Sequence, residues 1–249
     1  MKSRQHSKKR LDALLVDRGI AEDSQQATAI ILSGVVLVDE QRVDKPGTLI
    51  DSASEIRTKG TQQPYVSRAG FKLEAALRQF AIQVQGKICV DLGASTGGFT
   101  DCLLQQGAEK VYAFDVGRGQ LHWQLQQNAR VVVRDSINVR HLTQAMVDDP
   151  IDLITIDLAF ISLRLIFPCL KQFPSAEIVA LVKPQFEARR EEVPAGGIIH
   201  DKEMQEEIVG RVKGFAASEG FHLLGETASA LEGRKGNQEY FLYLSVGAH

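Results

Sequence analysis

The stretch KICVDLGASTGGFTDCLLQQG, residues 87–107, is the most informative about the fold. An apolar run ends on Asp91, glycines follow at 93, 97 and 98, and the pattern then takes up helical spacing to Gly107. A buried strand, a glycine-rich loop and a helix in that order are how open α/β sheets present backbone to a nucleotide cofactor, because glycine permits both the sharp turn and the close approach. The spacing is G-x-x-x-G-G rather than the G-x-G-x-x-G of dinucleotide sites, which argues against NAD.

Outward from this loop, fully apolar strands alternate with helical patterns, the signature of a parallel sheet covered on both faces. The expected order is helix 67–80, strand 87–92, helix 98–107, strand 110–115, helix 119–128, strand 130–134, helix 138–147, strand 152–157, helix 162–172, strand 177–183, helix 201–218, and strands 221–229 and 238–246. With no helix between the last two strands, they form a hairpin and the final strand runs antiparallel. This α/β arrangement, a mostly parallel Rossmann-like sheet with an antiparallel last strand, resembles the class I methyltransferase fold. Residues 184–200, with Pro194, Gly196 and Gly197, read as a mobile lid.

Residues 1–60 show a different pattern. Leu11, Leu14 and Leu15 mark a short helix up to Gly19, and Asp23 with Gln26 resembles a capping box for a second helix stopped by Gly34. Short strands around Val35–Val38, Val43, Ile50 and Ile56 complete a small α+β module, and TKGTQQP (58–64) reads as its link to the large domain. The expected boundaries are 1–60 for the small module, 61–66 for a linker, and 67–249 for the large domain.

Composition narrows the class. Of 249 residues, 44% are hydrophobic and 24% charged, which excludes disordered and collagen-like chains. The apolar run 151–167 is interrupted by Asp152, Asp157 and Arg164, so no membrane span is expected, and the basic N-terminus lacks a secretory signal pattern. Cys89, Cys102 and Cys169 leave one thiol over in any pairing scheme and show no CxxC spacing, consistent with a reducing, cytoplasmic setting. The six histidines show no metal-ligand spacing, so no metal is expected. A net charge of −2 hides a front end where Lys2, Arg4, Lys8, Lys9 and Arg10 stand without an acid, either a solvated tail or a phosphate-binding arm.

Candidate site residues fall at strand ends. Asp115 ends the next strand 24 residues after Asp91, where an acid commonly holds ribose hydroxyls. Asp135 ends the third strand and could receive an adenine amino group or cap the next helix. Asp157 and Lys183 end two further strands, Glu239 opens the last, and Lys72 lies early in the first helix of the large domain, so all four reach the carboxyl edge. The Asn/Asp-Pro-Pro-aromatic motif of amine methylation is absent after the fourth strand, which reads Asp157-Leu158-Ala159-Phe160, and Pro168-Cys169 reads as packing rather than as a nucleophile.

The segments VSRAGFKLEAAL, VDLGASTGGFTDCLL, FDVGRGQLHWQL, DLAFISLRLIFP, LVKPQFEA and GNQEYFLYL resemble the FtsJ-like ribose methyltransferases and, over nearly the whole chain, the TlyA family, whose members carry both haemolysin and ribosomal RNA methyltransferase names. The resemblance implies S-adenosylmethionine as donor, a ribose 2′-hydroxyl of ribosomal RNA as acceptor, with a cytidine as the target, and a tetrad of Lys72, Asp157, Lys183 and Glu239. It implies cofactor contacts from Asp91, Gly93, Ala94, Ser95, Thr96, Gly97, Gly98, Phe99, Asp115, Val116, Asp135 and Ser136. A hydroxyl attacking a methyl must lose its proton, and Lys183 is the candidate base, although the two carboxylates favour its charged form. The alternative is that the carboxylates orient the lysines and water takes the proton.

The segment KRLDALLVDRGIAEDSQQATAIILSGVVLVDEQRVDKPG resembles the S-four-type RNA-binding domain, which implies phosphate contacts from Lys8, Lys9 and Arg10. Two departures, Ser24-Gln25 for the usual Ser-Arg and Asp39-Glu40 for the usual Asn-Gly, put its grip in question. Arg68 and the Arg189-Arg190 pair are further RNA-contact candidates. Two rival classes remain: a catalytically silent RNA-binding or ribosome-assembly factor that keeps the fold, and a membrane-active haemolysin-like protein, for which the sequence offers no amphipathic basic helix and a cofactor loop has no purpose.

Overall fold

The structure is a computed structural model that describes residues 8–18, 20–21, 23–58, 64–233 and 236–247. Lys2, Arg4, Gly19 and linker residues 61–63 lie outside the described residues. The chain forms two compact units, residues 1–63 and 64–249.

In the first unit, β1 (Lys8–Arg10) leads directly into α1 (Leu11–Asp17), followed by α2 (Ser24–Leu32), β2 (Val36–Val38), β3 (Gln41–Arg42), β4 (Leu49–Asp51) and β5 (Ile56–Thr58). Leu11, Leu15, Ala27, Ile31 and Val36 are fully buried and make its core. Asp23 caps α2, its Oδ1 accepting the Gln26 N–H at 2.7 Å. The β2–β3 hairpin turns on Asp39 and Glu40 at φ 47° and 68°, a conformation that favours Asn-Gly. Side chains hold it instead: Asp39 accepts the Glu55 N–H at 2.9 Å, and Glu40 pairs with Arg57.

Lys8–Arg10 is a strand paired antiparallel with β4 rather than a solvated tail. Lys9 Nζ lies 2.8 Å from Asp17, and Arg10 Nε donates to Asp12 at 3.0 Å. Both cations are therefore countered within the unit, and an RNA phosphate would have to compete with Asp17 and Asp12.

The second unit runs α3 (Ala69–Gln79), β6 (Ile88–Leu92), α4 (Gly98–Gln105), β7 (Lys110–Phe114), α5 (Trp123–Gln126), β8 (Val131–Arg134), β9 (Leu153–Ile156), α6 (Phe167–Leu170), β10 (Glu177–Val182), α7 (Pro184–Glu187), α8 (Lys202–Ser218), β11 (Phe221–Ala228) and β12 (Tyr240–Val246). One seven-stranded sheet has the order β11-β12-β10-β9-β6-β7-β8. Only β12 runs antiparallel to its neighbours β10 and β11, as the missing helix between the last two strands requires. The chain steps outward in both directions from the β6–β9 boundary, the switch point at which such sheets open a crevice.

Strand residues alternate between two cores. Val90, Leu92, Phe114, Ile154 and Ile156 pack on one face, while Cys89, Val111, Ala113, Leu153 and Leu181 pack on the other, against α3 and α4. All three cysteines are free thiols.

Three expected helices are shorter than their sequence patterns. Residues 138–147 form two 3₁₀ turns, Val139–His141 and Gln144–Met146, because the Gln172 side chain replaces the helix ladder at the break: its Nε2 donates to Leu142 O and its Oε1 accepts the Gln144 N–H. In 162–172, Ser162 caps a 3₁₀ turn and Glu187 captures the Leu163 N–H, leaving only Phe167–Leu170 as α-helix. In 119–128 only Trp123–Gln126 is helical, since Leu121 turns inward beneath Gly97.

Candidate active site

Sheet register brings the site together. Pairing of Leu92 with Phe114 and Ile156, of Phe114 with Arg134, and of Val182 with Tyr240 aligns the strand ends. Along one edge, in sheet order, therefore stand Asp135, Asp115, the loop beginning at Gly93, Asp157, Lys183 and Glu239. The glycine loop thus lies between an acidic half and a half carrying both signs of charge.

Gly93 has φ 89°, and a Cβ there would lie 2.4 Å from the Asp157 carbonyl oxygen, so no other residue fits between the loop and β9. Gly98 is equally confined: its Cβ would lie 2.2 Å from Ser67 Oγ, which lets α4 approach the start of α3. Ser95 and Thr96 are exposed on the loop, Ser95 at φ 49°. Phe99 is buried and stacks on Phe241, so its side chain supports the loop from the core.

Asp91 is wholly buried. Its Oδ2 accepts Thr100 Oγ1 at 2.7 Å and its Oδ1 accepts Thr155 Oγ1 at 3.2 Å. It braces the loop from beneath, with both carboxylate oxygens engaged by hydroxyls. Burial, reinforced by the nearby Asp157 charge, pushes its carboxyl up to about 7 despite the two hydroxyls. The native state then keeps a proton that the unfolded chain loses near pH 4, so stability falls as pH rises from about 4 to 7 and levels off above. Asp91→Asn cannot ionise, and the difference in unfolding free energy between variant and wild type should shift in its favour by roughly 4 kcal/mol between pH 4 and pH 8, read by denaturant titration at both. A parallel pH dependence in the two proteins would remove Asp91 as the titrating group.

Asp115 joins the loops. Its Oδ2 accepts the Ser95 N–H at 2.8 Å and its Oδ1 the Gly117 N–H at 2.7 Å, leaving the partly exposed carboxylate further lone pairs for hydroxyl donors. Asp135 Oδ2 accepts the Gly119 N–H at 2.7 Å, so it ties the 116–120 loop rather than capping a helix. Val116 is 74% exposed beside these acids, and Ser136 is exposed at φ 61°. Backbone turns, a diol-accepting acid and an exposed apolar side chain fit a nucleoside-bearing cofactor. His122, to which the sequence pattern gives no role, donates its backbone N–H to Thr96 O, and its Nδ1 is buried without a hydrogen-bond partner.

The other half holds two ion pairs. Lys72 Nζ donates to Glu239 Oε2 at 2.5 Å, both residues being buried. Lys183 Nζ lies 2.6 Å from Asp157 Oδ1, a contact that is electrostatic and outside the geometry of an aligned hydrogen bond, and both remain partly open to solvent. Gly233 backs onto Glu239, where a Cβ would lie 2.6 Å from Oε1. Arg68 and the Arg189-Arg190 pair are exposed.

Two aromatic rings that sequence reasoning left out flank the open pair. Phe160 is 88% exposed at φ 64°, and its ring lies 4.9 Å from that of Phe186. A bulky residue in the left-handed region is strained, and such strain collects at functional sites. The 184–200 segment is anchored instead of forming a free lid: Asn237 donates to Gly197 O and accepts the Ile199 N–H, each at 2.9 Å, and Arg211 grips Glu192.

A parallel sheet with this order, a glycine loop at its switch point and an antiparallel closing strand defines the class as the Rossmann-like methyltransferases. The chain belongs to the FtsJ-like methyltransferase family, which matches residues 65–246, and carries an S4 domain at 9–56. It is 44% identical to the 16S/23S rRNA (cytidine-2′-O)-methyltransferase TlyA of Mycobacterium tuberculosis, over 94% of this chain and 89% of that protein. It is 47% identical, over 95% of this chain and 85% of the relative, to a Bacillus subtilis protein, YqxC, provisionally named an rRNA methyltransferase. A solved structure from Streptococcus thermophilus with a provisional haemolysin name is 40% identical, covers 97% of this chain and 90% of its own, and superposes with a TM-score of 0.74.

Proposed function

We propose that the chain transfers a methyl group from S-adenosylmethionine to a ribose 2′-hydroxyl of ribosomal RNA, with a cytidine as acceptor. The observation that carries this reading is the pair of lysine–carboxylate contacts standing on the same sheet edge as the glycine loop. The names of the TlyA relatives support the substrate, and the S4 domain supports RNA as partner. Such work belongs in the cytoplasm, and among the described residues no helix is long and apolar enough to cross a membrane.

The loop 93–98, Asp115, Val116 and Asp135 would hold the adenosine portion of the cofactor, with Asp91 acting from beneath. When bound, S-adenosylmethionine supplies an electrophilic methyl. Lys183 Nζ, once its own proton has been released to solvent, is the proposed acceptor for the proton of the attacking hydroxyl, and Asp157 holds it in place. The buried Lys72–Glu239 pair completes the proposed tetrad with polar groups for the acceptor, and because it sums to no net charge it leaves no lone buried ion.

Phe160 and Phe186 offer an apolar face on which the acceptor base can stack. Stacking of a base on an aromatic ring contributes about 1–3 kcal/mol, so Phe160→Ala should lower kcat/KM for RNA by about 5- to 150-fold with cofactor affinity unchanged, checked by steady-state kinetics and calorimetry. Unchanged kinetics would remove the ring from substrate binding.

The test of the reading is incubation of the purified chain with methyl-labelled S-adenosylmethionine and ribosomal subunits from cells lacking it. Label in the RNA is expected. Cofactor binding with no label in any ribosomal RNA would overturn the reading in favour of a silent RNA-binding factor.

A further inference from the structure

Glu187 lies outside the tetrad, yet it is 2% exposed and fully engaged. Its Oε2 accepts Ser162 Oγ at 2.5 Å, and its Oε1 accepts the Leu163 N–H at 2.7 Å. Arg164 closes the network, with Nε 3.2 Å from Ser162 Oγ and 3.8 Å from the Glu187 carboxylate, and its guanidinium donating to Glu187 main-chain O at 3.1 Å. A carboxylate is buried only where such donors replace water, and losing it would strand them.

The two segments joined here are those that carry the chemistry. Asp157 and Phe160 precede Ser162 after β9, and Lys183 and Phe186 precede Glu187 after β10. Between them run the Asp157–Lys183 contact, the Phe160–Phe186 ring contact and the Glu187 network, and of these only the last is built on a fully shielded acceptor. The strained backbone at Phe160 persists only if its surroundings over-determine it, and the turn after it is fixed by Glu187 through Ser162 and Leu163.

We propose that Glu187 is a positioning residue of the acceptor side of the site, acting through Phe160 to hold the RNA nucleoside against Lys183. The proposal rests on the chain being a ribose methyltransferase. Burial raises the Glu187 carboxyl above its ordinary value, while Ser162, Leu163 and Arg164, the groups that face it, favour its charged form.

The test is single-turnover methyl transfer to ribosomal subunits by the full chain, with cofactor affinity measured alongside, for wild type, Glu187→Ala, Glu187→Gln, Phe160→Ala and the Glu187→Ala/Phe160→Ala double variant. Glu187→Ala should lose about 30-fold in rate, within the range for the stacking contact it positions, with cofactor affinity within about twofold. Glu187→Gln keeps a carbonyl acceptor for Leu163 and should lose less than about tenfold, which also guards against a folding failure of the alanine variant. If Glu187 acts through Phe160, the double variant falls no more than about threefold below the worse single one. Multiplied losses, a parallel loss of cofactor affinity, or a Glu187→Ala rate within about threefold of wild type would each overturn the proposal. No transfer by wild type would instead overturn the methyltransferase reading, and the inference with it.

Discussion

Replacing Lys183 with alanine is expected to lower methyl transfer by about 10²- to 10⁴-fold, the range of a general base on the proposed mechanism, while S-adenosylmethionine affinity should stay within a few-fold of wild type. The side chain stands where β10 ends, 14% exposed, with Asp157 Oδ1 2.6 Å from Nζ and the glycine loop on the strand beyond β9. It thus stands on the same edge as the glycine loop, on the side away from the acids Asp115 and Asp135. Lys183→Arg separates two roles. Arginine keeps the charge opposite Asp157 but does not release a proton in proteins, so it should be as inactive as alanine if Nζ accepts the hydroxyl proton. Substantial activity in the arginine variant would reduce Lys183 to a counter-ion and return the proton to water. Single-turnover rates at saturating cofactor read both variants.

Glu239→Ala should destabilise the second unit by about 3–5 kcal/mol, the usual consequence of stripping one partner from a buried ion pair. Lys72 would then hold its ammonium at 6% side-chain exposure with no carboxylate opposite. Replacing both partners with apolar residues, Lys72→Met with Glu239→Leu, should recover most of that stability, because the pair's attraction largely offsets its own desolvation. Transfer should stay lost in the double variant. Thermal denaturation with a transfer assay on the same samples checks both statements, and recovery of activity together with stability would show that the pair is only a piece of core.

The strand ends were legible because fully apolar runs stop at charged or glycine positions, so Asp91, Gly93, Asp157 and Lys183 could be placed on one edge without a structure. Which lysine meets which carboxylate was not legible. Lys72 and Glu239 are 167 residues apart, and their contact depends on the β10–β12 register and on α3 docking at Gly98. The true surroundings of Asp91 were hidden because Thr155 sits inside the apolar strand LITI, where a threonine reads as a β-branched core residue. The sequence pattern assigns no role to Glu187 or Phe160; the acid is buried and the aromatic 88% exposed, the reverse of where such residue types ordinarily stand. The failed helices share a cause: Gln172, Glu187 and the cramped Gly97 act on backbone from far along the chain, and no local pattern encodes them.

On the proposed mechanism the methyl group ends on a ribose oxygen. A 2′-O-methyl group blocks alkaline cleavage of the adjoining phosphodiester, whereas a methyl on a base does not. After transfer from methyl-labelled S-adenosylmethionine to ribosomal subunits, alkaline hydrolysis of the RNA should leave the label in alkali-stable dinucleotides whose 5′ nucleoside is cytidine. Label recovered in mononucleotides would place the methyl on a base and contradict the ribose assignment.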